Sequence, residues 1–141
     1  MKEVFYISID EIDVTVQNTR IVSVRLKDID KTGVREYRNG TIGIAGGLGE
    51  VSEKKLHEKA VGALKNRIPY PYEPEKEKIR KEKVSSPDLI KNDAFPEEVD
   101  KILTCFRKEH SDFSFFHKAK IIRNERELRN EAGLDLFHSA R

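Results

Sequence analysis

The chain has 141 residues, 37% of them hydrophobic and another 37% charged, with a formal net charge of +2. That length suits one domain around one core, and charges this nearly balanced supply no overall field to gather nucleic acid or an anionic membrane. A lone cysteine, Cys105, excludes an intrachain disulfide, no apolar run nears the roughly 18 residues of a membrane span, and the acidic start lacks a leader layout, so a cytoplasmic protein is expected.

Phe5, Ile7 and Ile9 alternate with more polar neighbours, and so do Ile12, Val14 and Val16. Val22, Val24 and Leu26 form a third set, opposite Ser23, Arg25 and Lys27. Alternation with period 2 sets one face of a strand on a core and the other in water, as in an antiparallel sheet covered on one side. Gln17-Asn18-Thr19 is a turn signal and predicts a hairpin over residues 11 to 28. The stretch TGVREYRNGTIGIAGGLGE, Thr32 to Glu50, predicts another, because Asn39-Gly40 suits a type I′ turn with positive φ at both central residues. The first 45 residues thus predict a meander of four or five strands, joined by connections too short for parallel crossovers.

Gly46, Gly47 and Gly49 then bend the chain toward Ser52, which is placed to cap a helix over about residues 53 to 67. Glu53 suits the positive end of its dipole, and Val51 with Leu56 has the spacing of a hydrophobic staple. Leu56, Ala60, Ala63, Leu64 and Ile68 make one apolar stripe to lie on the sheet. Pro69, Pro71 and Pro74 end the helix. From there to residue 95 the composition shifts to Pro-Tyr-Pro-Tyr-Glu-Pro and then to alternating charge, with only Ile79 apolar between Glu73 and Lys83. Five cations against four anions in that window make no polybasic tract, so a long charged surface loop at about 69–95 is expected within a single domain of residues 1–141.

A second helix is predicted over about Pro96 to Glu109, with proline, Glu97 and Glu98 in its first turn. Val99, Ile102, Leu103 and Phe106 give it a core face, and Cys105 beside them reads as a small, partly buried side chain. The tail from Ser111 to Arg141 predicts more sheet. Phe113, Phe115, His117, Ala119 and Ile121 share a face, Asn124-Glu125 turns the chain, and a break falls at Ala132-Gly133 before Leu134 and Leu136. The expected fold class is α+β, a curved antiparallel sheet with two helices packed on one face.

Three groups of residues bear on chemistry. Gly43, Gly46, Gly47 and Gly49 stand between a strand and a helix, where amides can cradle phosphate. Their spacing matches neither the dinucleotide fingerprint nor the phosphate-binding loop, and no Lys-Ser or Lys-Thr follows, so a structural bend is the better reading. His57-Glu58 lies on the first helix without a second histidine at position 61 or 62, so it makes no zinc-peptidase helix and His57 reads as solvent-facing. Lys118, Lys120, Arg123, Arg126 and Arg129 run along the tail beside Phe115 and Phe116. Such a series can bind RNA or single-stranded DNA, but Glu125 and Glu127 interrupt it and cross-strand ion pairs explain the same pattern. No catalytic constellation and no metal-ligand set is legible.

One stretch carries a likeness. Gly33-Val34-Arg35, Arg38-Asn39-Gly40, Ile42-Gly43-Ile44-Ala45 and the helix through Ala60 and Leu64 resemble the amino-terminal domain of the TldD/PmbA family. More loosely, Ile121 to Asp135 resembles a later segment of that family, with Glu131 and Ala132 where a Ser-x pair is usual. The family comprises zinc-dependent peptidases and inactive homologues, which pair as heterodimers and carry the label of modulators of DNA gyrase. Its His-Glu-x-x-x-His motif and a later cysteine have no counterpart here, nor does the helix that precedes its first strands. The resemblance therefore implies a non-catalytic domain or fragment that shapes a peptide-binding groove and docks a family partner, with zinc expected only in a full-length member. Ile42, Ile44, Gly46, Gly47, Arg123 and Arg126 are the candidate peptide- or partner-binding residues, on strands whose edges can add an extended peptide.

Overall fold

The computed structural model describes residues 1–84 and 90–141. Its strands are β1 (Lys2–Gln17), β2 (Arg20–Arg38), β3 (Thr41–Leu48), β4 (Ile68–Pro69), β5 (Ile79–Val84), β6 (His117–Asn130) and β7 (Asp135–Ala140), with helices α1 (Glu53–Ala63) and α2 (Phe95–Glu109). The strands form one open sheet in the order β4-β3-β2-β1-β6-β7-β5. The class is α+β as expected, but the sheet is mixed: β5 runs parallel to β7, while β2–β3, β3–β4 and β6–β7 are antiparallel. That parallel strand lies inside the stretch expected to be a loop. All its side chains are exposed, so it joins the sheet through its main chain and leaves no apolar alternation to read. Residues 85–89 of the expected loop lie outside the described residues.

The opening meander has three strands rather than four or five. β1 and β2 run unbroken for 16 and 19 residues. A change of hydrophobic phase between Phe5-Ile7-Ile9 and Ile12-Val14-Val16 mimics a strand break, yet the buried apolar positions of β1 are Val4, Ile12, Val14 and Val16, all in one phase. Both predicted turns form, with positive φ at Asn18 (49°), Thr19 (58°), Asn39 (50°) and Gly40 (69°).

The described residues group into two compact units. The first comprises Met1–Ile9, Ile29–Val84 and Asn124–Ala140. Its core is Val4, Val34, Leu56 and Ala60, with Ala45 and Val51 packed against them, so α1 lies on the strands by the predicted face. Gly43 permits the approach, since a Cβ there would come within 2.0 Å of the Ala60 carbonyl oxygen. Ser52 precedes α1, but its hydroxyl makes no capping bond; its carbonyl accepts from the Leu56 amide at 3.1 Å. Ile68 leaves the stripe at 48% exposure, because Arg67 (φ 50°) ends the 3-10 turn Leu64–Asn66 in a left-handed conformation. No turn forms at Asn124-Glu125, where polar residues continue β6. The chain reverses after Asn130, whose side-chain oxygen accepts from the amides of Ala132 (2.9 Å) and Leu134 (3.1 Å), with Gly133 at φ 89°.

The second unit comprises Asp10–Asp28, Ser85–Arg123 and Arg141. Ile12, Val14, Val16, Phe95, Leu103 and Ile121 form its core, with Ile21, Ile90, Val99 and Ala119 packed against them. Because Ile21 takes the core side of β2, alternation turns Val22, Val24 and Leu26 outward, contrary to expectation. On α2, Ile102 and Phe106 are exposed, and so is Cys105. Phe113 and Phe115 precede β6 rather than belonging to it. Phe115 instead meets the Phe106 ring edge-on at 4.6 Å. Buried Thr19 fastens that segment. Its hydroxyl accepts from the Phe115 amide (3.0 Å) and donates to the Phe113 carbonyl (3.3 Å), and its own carbonyl accepts from Arg107 (2.6 Å).

Candidate functional site

In the first unit, β1 sends Phe5 and Ile7 to the side opposite Val4, away from α1. Phe5 lies across β2 at Gly33, where a Cβ would come within 2.0 Å of its ring, so only glycine leaves the aromatic that position. The Arg35 guanidinium stands 5.4 Å over the same ring, a cation–π contact. β6 and β7 pair Leu128 with Leu136 and Arg126 with His138, while β5 sets Arg80 beside Leu136 and Glu82 beside His138. Together these residues line a cavity of about 420 Å³, within the range of ligand clefts. Phe5, Ile7, Leu128, Leu136 and Phe137 supply apolar surface, and Arg35, Arg80, Glu82, Arg126 and His138 supply both signs of charge.

The polar side chains beside this groove are interlocked. Buried Glu3 accepts from Arg35 and from the Tyr37 hydroxyl through one oxygen, each at 3.0 Å. Burial and the hydrogen bond to Glu3 push the Tyr37 phenol up to about 12. Burial pulls the Arg35 guanidinium down, but its bonds to Tyr37 and Glu3 outweigh that and hold it above its ordinary value. Arg80 reaches Glu82 at 3.0 Å. Arg35 is thus held against buried Glu3, while Arg80 and Glu82 pair at the exposed end of the groove. Among the described residues no group of three or more His, Cys, Asp and Glu side chains is placed to hold a metal.

Of the six residues singled out from sequence, Arg126 alone lines this groove. Ile42 is buried and paired with Tyr37, Ile44 is exposed and paired with Arg35, and Gly46 lies opposite Gly33. Gly47 packs on Val51, where a Cβ would come within 2.7 Å. Arg123 belongs to the second unit. The tail strand is no edge in the first unit, since β6 lies between β1 and β7 there and β5 ends the sheet. His57 does not face solvent freely: its Nε2 is 3.0 Å from buried Glu36, which also takes Arg38 at 3.5 Å. Within the basic series on β6, Lys120 pairs with Glu11 (3.0 Å) and Asp13 (3.7 Å), and Arg129 with Glu53 (2.6 Å). Those pairs offset part of the charge that a nucleic-acid face uses.

Apart from Arg126, the groove residues were missed because the lining is drawn from five strands, β1, β2, β5, β6 and β7. One signal was present: Phe5 and Ile7 alternate out of phase with Val4 and Ile12, so both faces of β1 carry apolar side chains.

This geometry defines a class first, an α+β domain with an open mixed sheet, a helix on one face and an apolar groove on the other. Comparison with known proteins gives that class a relative. No protein-family model matches the sequence, and no curated protein matches it. Among solved structures, TldE from Thermococcus kodakarensis superimposes with a TM-score of 0.75 at 20% identity, over 99% of this chain and 33% of that one. A proposed modulator of a DNA gyrase from Thermotoga maritima gives 0.72 at 14% identity, again over 99% and 33%. At such identities the likeness shows the fold: this chain has the architecture of about a third of those proteins. The expected TldD/PmbA likeness is met at that level.

Proposed function

We propose that this chain is a non-catalytic TldD/PmbA-like domain that holds an extended peptide or a partner's segment in the groove of its first unit, in the cytoplasm. The observation that carries this reading is the groove itself, apolar along Phe5, Leu128 and Leu136 and rimmed by Arg35, Arg80, Glu82 and Arg126. Apolar side chains of a peptide lie along that floor, while its carboxylates meet the arginines. β5 ends the sheet next to the groove, so its outer edge offers main-chain donors and acceptors to an extended chain. The solved relatives are three times as long, which agrees with a domain that works beside others. The basic tail does not favour a nucleic-acid reading, and no zinc enters this proposal.

A test is to titrate the ¹⁵N-labelled chain with a casein-derived peptide pool and follow its amides. Shifts confined to β1, β5, β6 and β7 around the groove, lost in Leu136→Arg, are expected. Absence of any shift at millimolar peptide, or shifts unaffected by Leu136→Arg, would sink the proposal.

A further inference from the structure

In the second unit β2 has β1 on one side only. On its other side β3 begins to pair at Lys31, and among the described residues no strand covers the edge from Arg20 to Asp28. An open edge is a template for another strand, and proteins blunt such edges with lysine or proline. β6 before Asn124, where β7 begins to pair, is blunted in this way by Lys118 and Lys120. The β2 edge carries one lysine, Lys27, on one face, but its other face is apolar and open: Val22, Val24 and Leu26 are 54%, 44% and 78% exposed. Alternation puts Arg20 and Asp28 on the same face, at either end of that trio. Both are exposed, and neither has an ion-pair partner among the described residues.

Read along that face, the series is Arg-Val-Val-Leu-Asp, which is its own complement in antiparallel order. With Val24 opposite Val24 of a second copy, each Val22 meets a Leu26 and each Arg20 meets an Asp28. On the other face Ser23 meets Arg25 and Ile21 meets Lys27, so no like charges stand directly opposed. A slip of two residues either way sets Asp28 against Val22, or Arg20 against Leu26, and forfeits the match. We propose that this edge pairs with the same edge of a second copy of this chain, a two-fold antiparallel contact that joins the two sheets. The inference rests on the second unit alone and stands whether or not the groove binds peptide. One edge strand per chain makes a contact below the standard interface size, so dissociation on the scale of about 10–100 μM is expected.

Sedimentation velocity of the whole chain across that range tests it. A concentration-dependent dimer is expected, abolished by Val24→Asp with an unchanged thermal melt. Arg20→Glu should weaken it about tenfold, by setting like charges opposite each other at both ends. Adding Asp28→Arg to that variant should restore it. In a Cys105→Ser background, Val24→Cys should form an intermolecular disulfide and Val22→Cys should not, because only position 24 meets itself. A monomer throughout, a dimer indifferent to Val24→Asp, failure of the charge swap to rescue, or equal cross-linking at both positions would overturn the proposal.

Discussion

The two units are built from the same long strands and are held together differently. In the first, the buried apolar cluster is small and is joined by interlocked polar groups: Glu36 with His57 and Arg38, Glu3 with Arg35 and Tyr37, and Glu53 with Lys2 and Arg129. In the second, larger side chains make the core, and the most connected polar residue is one threonine in a turn. A strand such as β1 does not have one mode of stabilisation; each stretch of it takes the mode its neighbours allow. Where a helix backbone sits directly on a strand at Gly43, little side-chain volume fits between, and polar pairs around the contact supply what packing cannot.

The contrast can be broken from either side. Leu103→Ala should lower the stability of the second unit most, by about 3 kcal/mol, seen as a lower urea midpoint, because it leaves a cavity in the apolar cluster that makes that core. Gly43→Ala should cost about 2–3 kcal/mol in the first unit, since its new methyl meets backbone rather than a movable side chain. A midpoint within experimental error of the parent would show that α1 does not rest on that glycine.

Acid should separate the units. Burial pushes the Glu36 carboxyl up, but hydrogen bonds from His57 and the amino terminus outweigh it and hold it below its ordinary 4.5. The Lys2 hydrogen bond, against some burial, lowers Glu53 likewise, with Arg129 adding to it. A carboxyl whose folded pKa is depressed stabilises the fold above its unfolded value and ceases to do so as pH falls through the folded one. Amide signals of α1 and β3 should therefore weaken below pH 4.5 before those of α2. Glu36→Gln should lower stability at neutral pH by about 2 kcal/mol and flatten that acid response. Simultaneous loss in both units would show that the polar network is not what distinguishes them. The smallest effect belongs to Thr19→Val, about 1–2 kcal/mol from two unmade hydrogen bonds, read as faster amide exchange at Phe115.

Local signals were legible wherever a residue's own conformation decides the outcome. Asn39-Gly40 and Asn18 turn because they tolerate positive φ, and Glu53 to Ala63 is helical because its apolar residues recur at helical spacing. The candidate site was mostly illegible. Nothing in their own neighbourhood told that Ile42 is buried or that Gly47 packs on Val51, and His57 looked solvent-facing although Glu36, on β2, lies 3.0 Å from its ring nitrogen. Only Arg126 was placed on the groove from its own neighbourhood.

Residue order by itself determined the α+β class, both hairpin turns, the two helices and the likeness to a TldD/PmbA domain. Those features follow from φ preferences and from periodicity within a few residues. Tertiary structure alone decided that β5 joins the sheet in parallel, which face of β1 is buried in each unit, and where the groove lies. Each of these depends on hydrogen bonds and contacts between segments tens of residues apart, and period-2 alternation reads the same whichever face the rest of the chain covers.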